Sequence, residues 1–305
     1  MSKKFINPMD YIYPINVNGL ESRYLFIPSQ LKKNKSNVLI VYDIDFNLEK
    51  WFGYLIALSK FSNVYMIDLP GLGGADNFYK IGLKPELGNM ANYLSSIIKL
   101  KFRRQNLSVI GIGYGFTLIT KMIQNDLEIE KKINNVVAIN GYVHFEDFNF
   151  DRSYKIKVYL NYFISKNKFL AQLVSLVIKS DYYLIRKYDD DYFKKFLNSK
   201  FPFLKQFAID LDKSRDFRTE STIKYNILKL DLCSGRKIDK PLWAINTVMN
   251  KKVIYKRVEQ HLKVIYSNYN YLNLPIRKMP FLINNQKFGL RLIPHKLKAV
   301  LKKYT

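Results

Sequence analysis

The chain has 305 residues, of which 48% are hydrophobic and 25% charged, and its formal net charge at pH 7 is +25. This length and apolar content predict one main domain with a large core. The single cysteine, Cys233, excludes an internal disulfide and is typical of a reducing compartment. No stretch approaches the roughly 20 apolar residues that a membrane span needs, and the first ten residues lack the apolar region of a signal peptide. We therefore expect a cytoplasmic protein, with peripheral membrane contact left open.

Short apolar runs alternate with helical patterns through the first half of the chain. Such alternation predicts a mostly parallel sheet with helices on both faces, an α/β architecture. The predicted strands are Asn37–Tyr42, Val64–Leu69, Leu107–Ile110 and Asn135–Asn140, and the predicted helices between them include an amphipathic one at Leu48–Leu58 and one at Leu87–Ile98.

A turn of alternating glycines follows the third of these strands. The frame Gly111-Ile112-Gly113-Tyr114-Gly115 matches the spacing of a nucleophile elbow, G-x-S-x-G, with glycine at the apex in place of serine. The alternative, a dinucleotide-binding G-x-G-x-x-G turn, requires glycine where Phe116 stands. We therefore favour the elbow, and we expect Gly113 to have a positive φ.

A second loop supports this interpretation. Asp68-Leu-Pro-Gly-Leu-Gly73 precedes the elbow by about 40 residues, and the two loops together resemble those of the α/β-hydrolase family over residues 35–145 and again over 240–303. The resemblance implies an α/β-hydrolase core at 1–146 and 240–305 and a helical lid, or cap, inserted at 147–239. Within the predicted lid, Phe169–Ile178 is spaced like a mostly buried helix.

In that family catalysis uses a serine, an acid and a histidine, in this chain order. The equivalent positions here fall on Gly113, Asn250 and Lys278. Glycine has no side chain with which to attack a substrate. The sequence therefore argues against serine-triad hydrolysis, and we assign no catalytic residue.

The predicted oxyanion region is altered as well. The family usually places His-Gly after its first central strand, but here Asp43 and Asp45 follow that strand. Two carboxylates near a developing oxyanion would oppose it. The residues expected around the pocket and the oxyanion hole are Tyr42, Asp43, Asp45, Gly111, Tyr114 and Gly115.

The three histidines do not complete a motif. His144, His261 and His295 are assigned surface or structural roles, although His144 stands beside two carboxylates, Glu146 and Asp147. Such a pair at the carboxyl edge of a sheet is either acid–base machinery or the start of the lid. We expect no metal site and no cofactor.

Positive charge is concentrated at the end of the chain, where residues 251–305 contain 13 Lys/Arg and one Asp/Glu. Such a segment attracts polyanions, although a lysine-rich genome composition would also raise the charge. Leu297, Val300 and Leu301 share one side of a basic helix, a pattern that suits either a membrane interface or packing on the sheet. The predicted anion-binding surface comprises Lys296, Lys298, Lys302 and Lys303, with an acidic membrane preferred to nucleic acid.

Three functional hypotheses follow. The first is a non-catalytic or mechanistically altered hydrolase relative that binds a small or lipid-like ligand under the lid. The second is an active hydrolase or acyltransferase that uses Asp43, Asp45, Tyr114 and Lys278 instead of a serine triad. The third is a basic protein that binds a membrane surface or nucleic acid.

Overall fold

An eight-stranded sheet organises the chain, which the computed structural model describes at residues 7–31, 36–188, 203–247, 253–274, 286–291 and 293–303. Its spatial order is β1-β2-β4-β3-β5-β6-β7-β8; β3 to β8 pair in parallel, and β2 runs antiparallel to both of its neighbours, β1 and β4. The strands are β1 Ile12–Val17, β2 Leu20–Ile27, β3 Asn37–Val41, β4 Asn63–Ile67, β5 Leu107–Ile112, β6 Ile133–Ile139, β7 Ile238–Thr247 and β8 Tyr266–Leu274.

Helices connect the parallel strands on both faces of the sheet. The crossover from β3 to β4 runs in the opposite direction to those from β4 to β5 and from β5 to β6, so right-handed connections place their helices on opposite faces. The described α-helices are α1 Phe52–Ser59, α2 Leu87–Lys101, α3 Tyr114–Asn125, α4 Leu127–Lys132, α5 Arg152–Lys166, α6 Lys168–Ile178, α7 Asp181–Tyr188, α8 Phe203–Lys213, α9 Phe217–Ile227, α10 Tyr255–Ile265, α11 Gln286–Arg291 and α12 His295–Lys303.

The central strands are buried along their whole length. Every residue of β3 and β5 is buried, which explains their continuous apolar runs, because a parallel strand covered on both faces has no polar side. The predicted α/β class is therefore confirmed. The sequence analysis left out the hairpin of β1 and β2, whose turn residues Asn18 and Gly19 both have positive φ, as two-residue hairpin turns require.

Two helical predictions need correction. The stretch predicted as an amphipathic helix at Leu48–Leu58 is a 3-10 turn, Glu49–Trp51, followed by α1, and α1 is buried at every residue. The reason is that α11 packs on its outer side, so closely that a Cβ on Gly289 would lie 2.7 Å from the carbonyl oxygen of Gly53.

The predicted burial of α6 is also wrong. Only Ala171 of this helix is buried, whereas Phe169 and Leu176 are 65% and 71% exposed. Within the described part of the chain, α6 packs on α5, α7 and α9 through one narrow face, and its other apolar side chains remain in solvent.

Among the described residues, five helices, α5 to α9, lie between β6 and β7, in the region predicted as a lid. The division into a core at 1–146 and 240–305 and a lid at 147–239 remains a prediction, and β7 begins at Ile238. Among the described helices, none combines the length and apolar character that crossing a membrane requires.

Candidate ligand site at the altered nucleophile elbow

The turn between β5 and α3 has the backbone of a nucleophile elbow. Gly113 has φ 52° and ψ −118°, which confirms the predicted positive φ. The flanking glycines allow close packing: a Cβ on Gly111 would lie 2.3 Å from Cα of Phe116, and one on Gly115 would lie 2.2 Å from the carbonyl oxygen of Val41. The three glycines are therefore a steric requirement of this turn.

Asp43 occupies the space above the apex. A Cβ on Gly113 would lie 2.2 Å from Oδ2 of Asp43. Its Oδ1 accepts hydrogen bonds from the backbone N–H of Ile44 at 2.8 Å and of Tyr114 at 3.0 Å. In α/β-hydrolases the oxyanion hole uses one N–H after the nucleophile and one from the loop after the first central strand. The protein's own carboxylate therefore takes both amides.

The charge at this position is unusual. Burial, and then the nearby charge of Asp45, raise the pKa of Asp43 to about 6. At pH 7 the carboxylate is therefore mostly ionised, and the amides of Ile44 and Tyr114 face an internal negative charge. Asp45 points instead toward Arg215, whose guanidinium lies 3.1 Å away. Against the effect of burial, Arg215 and Lys224 lower the pKa of Asp45.

The remaining residues predicted at the pocket have other surroundings. The hydroxyl of Tyr42 donates to Asp68 at 2.8 Å and accepts from the N–H of Leu69 at 3.0 Å, so this side chain holds the Asp68–Gly73 loop. Arg23 completes that network with Asp68 at 2.6 Å. Tyr114 is buried, and its hydroxyl has no hydrogen-bond partner within the described part of the structure.

Two of the three triad-equivalent positions, Asn250 and Lys278, lie outside the described residues. The apex glycine, Gly113, is described and carries no reactive group. His144 and His261 belong to a separate cluster, in which Nδ1 of His261 lies 2.6 Å from Oδ1 of Asp147. Sequence reasoning placed His144 and Asp147 side by side but gave no signal that His261 joins them.

A basic cavity of about 280 Å³ lies between the helices that follow β6. Arg215 lines it and also contacts Asp45, so the cavity adjoins the carboxyl edge of the sheet. The lining includes five cations, Lys157, Lys179, Lys187, Arg215 and Lys224. It also includes two carboxylates, Asp212 and Glu220, and four apolar side chains, Val174, Ile178, Leu184 and Phe217.

The carboxylates of this cavity already have cationic partners. Asp212 pairs with Lys187 at 2.7 Å and with the buried Lys50 at 3.0 Å, and Glu220 pairs with Arg215 at 2.9 Å. Burial lowers the pKa of Lys179. The lining therefore has more positive than negative charge. Sequence reasoning missed these cations because they are spread over several helices of a segment that is lysine-rich throughout.

The predicted anion-binding surface lies on α12. Leu297 is fully buried, so this side of the helix packs on the protein. Lys296 is exposed and Lys298 is half-buried, with its ammonium 5.9 Å from the ring centre of Phe61. Lys302 and Lys303 belong to the last turn of the same helix.

The contact between the apex and Asp43 predicts a coupling in stability. Gly113→Ala should destabilise the protein, because a residue with a Cβ at this φ costs about 1–3 kcal/mol and its Cβ would overlap Asp43. In an Asp43→Ala background the overlap disappears, and the cost of Gly113→Ala should fall by about 1 kcal/mol or more. Urea unfolding of the four proteins measures this difference.

Gly88→Ala is the matched control, since a Cβ there meets nothing within 4 Å, and we expect it to be neutral or slightly stabilising in the helix. Equal costs for Gly113→Ala with and without Asp43 would contradict the placement of the carboxylate.

Comparison of the sequence with protein-family models and with curated proteins finds no significant match. Solved structures do match. The chain is similar to an enol-lactonase from Burkholderia xenovorans LB400, with 13% identity over 92% of this chain and 96% of that chain and a TM-score of 0.62. It is also similar to a thermophilic esterase from Thermogutta terrifontis, with 10% identity over 95% of this chain and 98% of that chain and a TM-score of 0.62.

For the Cif epoxide hydrolase from Acinetobacter nosocomialis, identity is 15% over 92% of this chain and 87% of that chain, with a TM-score of 0.64. At these identities the likeness concerns the fold and leaves activity open. Together with the sheet order and the elbow, it shows that this chain has the α/β-hydrolase fold.

Proposed function

We propose that this protein is a non-catalytic relative of the hydrolases that binds a small anionic ligand with an apolar part in the cavity between its helices. One observation carries the proposal: Asp43 fills the position where a substrate oxyanion would be stabilised. The ligand class rests on the excess positive charge and the apolar side chains of the cavity lining.

A serine-type reaction requires a nucleophile and two unoccupied amide donors. Gly113 supplies no nucleophile, and the amides of Ile44 and Tyr114 already bond Asp43. An oxyanion formed here would also face a carboxylate that is charged at neutral pH. The nucleophile and the two open amide donors that acyl transfer requires are therefore both lacking at this place.

Three of the four groups considered for a different mechanism are poorly suited to it, and the fourth, Lys278, lies outside the described residues. Asp43 accepts two amide hydrogen bonds, and Asp45 pairs with Arg215. Burial raises the pKa of Tyr114 well above its ordinary value, so its hydroxyl stays protonated at neutral pH. Binding is the function that these contacts support best.

The cavity has the chemistry of an amphiphile site. Lys157 and Lys179 add positive charge to that of the cations already paired with Asp212 and Glu220. Val174, Ile178 and Phe217 supply apolar surface. A carboxylate or phosphate would pair with the cations, and an acyl or aryl group would bury apolar area. Pockets of this kind combine apolar lining with a few polar groups that fix orientation.

The absence of catalysis is tested with a fluorophosphonate probe and with nitrophenyl butyrate. The wild-type protein should show no labelling above that of heat-unfolded protein and no ester turnover above a generic lysine-rich protein. Gly113→Ser should remain inactive, because Asp43 still occupies the amides. Specific labelling of the wild type at a residue near Gly113, at the carboxyl edge of the sheet, would overturn the proposal.

Ligand binding is tested with a fluorescent dodecanoate analogue, which should bind with a micromolar dissociation constant and be displaced by dodecanoate but not by its methyl ester. Lys157→Met and Lys179→Met should each weaken binding about fivefold, as expected for one screened ion pair. Lys155→Met is the matched control on the same helix and should bind normally. Loss of affinity in the control alone, or equal displacement by acid and ester, would count against an anionic ligand in this cavity.

A second candidate function, association with an acidic membrane surface, is favoured by the exposed faces of α5, α6 and α7. Exposed apolar side chains in this number on three neighbouring helices are typical of an interaction surface. Twelve large apolar side chains on these helices are between 41% and 75% exposed: Ile156, Tyr159, Leu160, Phe163, Phe169, Leu170, Leu173, Leu176, Val177, Tyr182, Tyr183 and Ile185.

The charge around this surface points to anionic lipid as its partner. Residues 152–188 contain eight Lys/Arg and one Asp/Glu. Exposed apolar and aromatic side chains bordered by lysines are typical of helices that lie in a membrane interface. The helix first considered for this role, α12, has its Leu297 buried, so the interface is better placed on α5 to α7.

Vesicle flotation tests this candidate. Wild-type protein should float with vesicles containing phosphatidylserine and less well with phosphatidylcholine alone. The exposed-face variant Phe163→Ser/Leu176→Ser should lose at least tenfold in binding without loss of melting temperature. The fourfold variant of Lys296, Lys298, Lys302 and Lys303 to Gln is the comparison, and we expect a smaller loss. A dimer in solution that is abolished by Phe163→Ser/Leu176→Ser would assign this surface to a second copy of the chain instead.

A further inference from the structure

We propose that His144, Glu146 and His261 form a binding site for a divalent transition-metal ion of the zinc class. This proposal is independent of the proposed function, and it departs from the sequence-based expectation of no metal site. The three side chains each offer one ligand atom, and these atoms lie within 4.8 Å of one another.

The three ligand atoms surround a common point. Oε2 of Glu146 lies 3.9 Å from Nδ1 of His144 and 3.9 Å from Nε2 of His261. These separations are too long for hydrogen bonds. Ligand atoms around a tetrahedral zinc ion are about 3.4 Å apart, given Zn–N and Zn–O distances of about 2.0–2.2 Å. A small movement of the exposed Glu146 side chain would therefore bring all three ligand atoms within coordination distance of one ion.

Asp147 orients the second histidine. This buried carboxylate accepts from the backbone N–H of Val143 and of His144 through Oδ2, at 2.8 and 2.9 Å, and its Oδ1 lies 2.6 Å from Nδ1 of His261. With a proton on Nδ1, Nε2 keeps its lone pair on the side that faces Glu146. A carboxylate that holds the far nitrogen of a ligating imidazole is the usual outer-shell arrangement of protein metal sites.

His144 has its lone pair on Nδ1, the nitrogen on the side of Glu146. Nδ1 of His144 accepts a hydrogen bond from the N–H of Glu146 at 3.2 Å, so this nitrogen carries a lone pair. Metal binding would replace that long hydrogen bond with a coordinate bond. The two imidazole rings are 4.4 Å apart, which allows both to reach one ion.

The donor set defines the class of metal. Two imidazoles and one carboxylate suit zinc, cobalt, nickel or copper, whereas magnesium and calcium prefer all-oxygen sites. Three protein ligands leave a fourth position for water or an exogenous ligand. An ion here would join the turn after β6 to α10, because His144 and Glu146 flank that turn and His261 lies on the helix.

The experiment uses untagged full-length protein and measures Co²⁺ absorption and Zn²⁺ affinity by competition with a chromophoric chelator. Wild type should bind one ion per chain with a micromolar or lower dissociation constant, and Zn²⁺ should raise its melting temperature. His261→Gln and Glu146→Gln should each lower the affinity at least tenfold and abolish the thermal shift. Without metal, Glu146→Gln should melt as wild type, whereas His261→Gln should melt at a lower temperature because it removes the partner of the buried Asp147 carboxylate.

His295→Gln and Cys233→Ser are the controls, since they remove the remaining histidine and the single thiol, and both should bind normally. The proposal fails if the wild type shows no stoichiometric binding, if Glu146→Gln and His261→Gln retain full affinity, or if either control removes the site.

Discussion

The hydrogen bonds that Asp43 accepts from Ile44 and Tyr114 govern the rest of the site. They join the end of β3 to the start of α3 at the carboxyl edge of the sheet. Because the carboxylate stands where a nucleophile's side chain would project, the apex can only be glycine. The same contact places a carboxylate against the backbone amides of Ile44 and Tyr114. The absence of a side chain at the apex and the occupation of these two amides thus follow from one contact.

Charge pairing extends from this edge into the helices between β6 and β7. Asp45 bonds Arg215, and Arg215 bonds Glu220 and faces the cavity. Asp45 is therefore matched by a cation from the helices, whereas Asp43 is held by backbone amides, and the remaining cations give the cavity its charge. The pair of Lys50 and Asp212 is buried on both sides; such pairs cost desolvation and are retained only with good geometry, and this one helps to fix the shape of the cavity that Asp212 lines.

The fold could be predicted because its signals are local. Apolar runs identify buried parallel strands, and positions 111, 113 and 115 of the turn leave no room for a Cβ. The site was less predictable. Nothing in the sequence shows that Asp43 fills the space over Gly113, since this depends on a contact between the loops that follow two neighbouring strands. The exposure of α6 depends on which faces find partners, and His261 lies 114 positions from Asp147, its hydrogen-bond partner.

The most direct measurement is an NMR titration of the backbone amides of Ile44 and Tyr114 between pH 4 and pH 8. If Asp43 fills the oxyanion hole, both amide protons should shift downfield together as the carboxylate ionises, with an apparent pKa near the value of about 6 expected for this carboxyl. The shift should vanish in Asp43→Asn. Amides that do not respond, with Asp43 titrating near the ordinary value of about 3.9, would contradict the account.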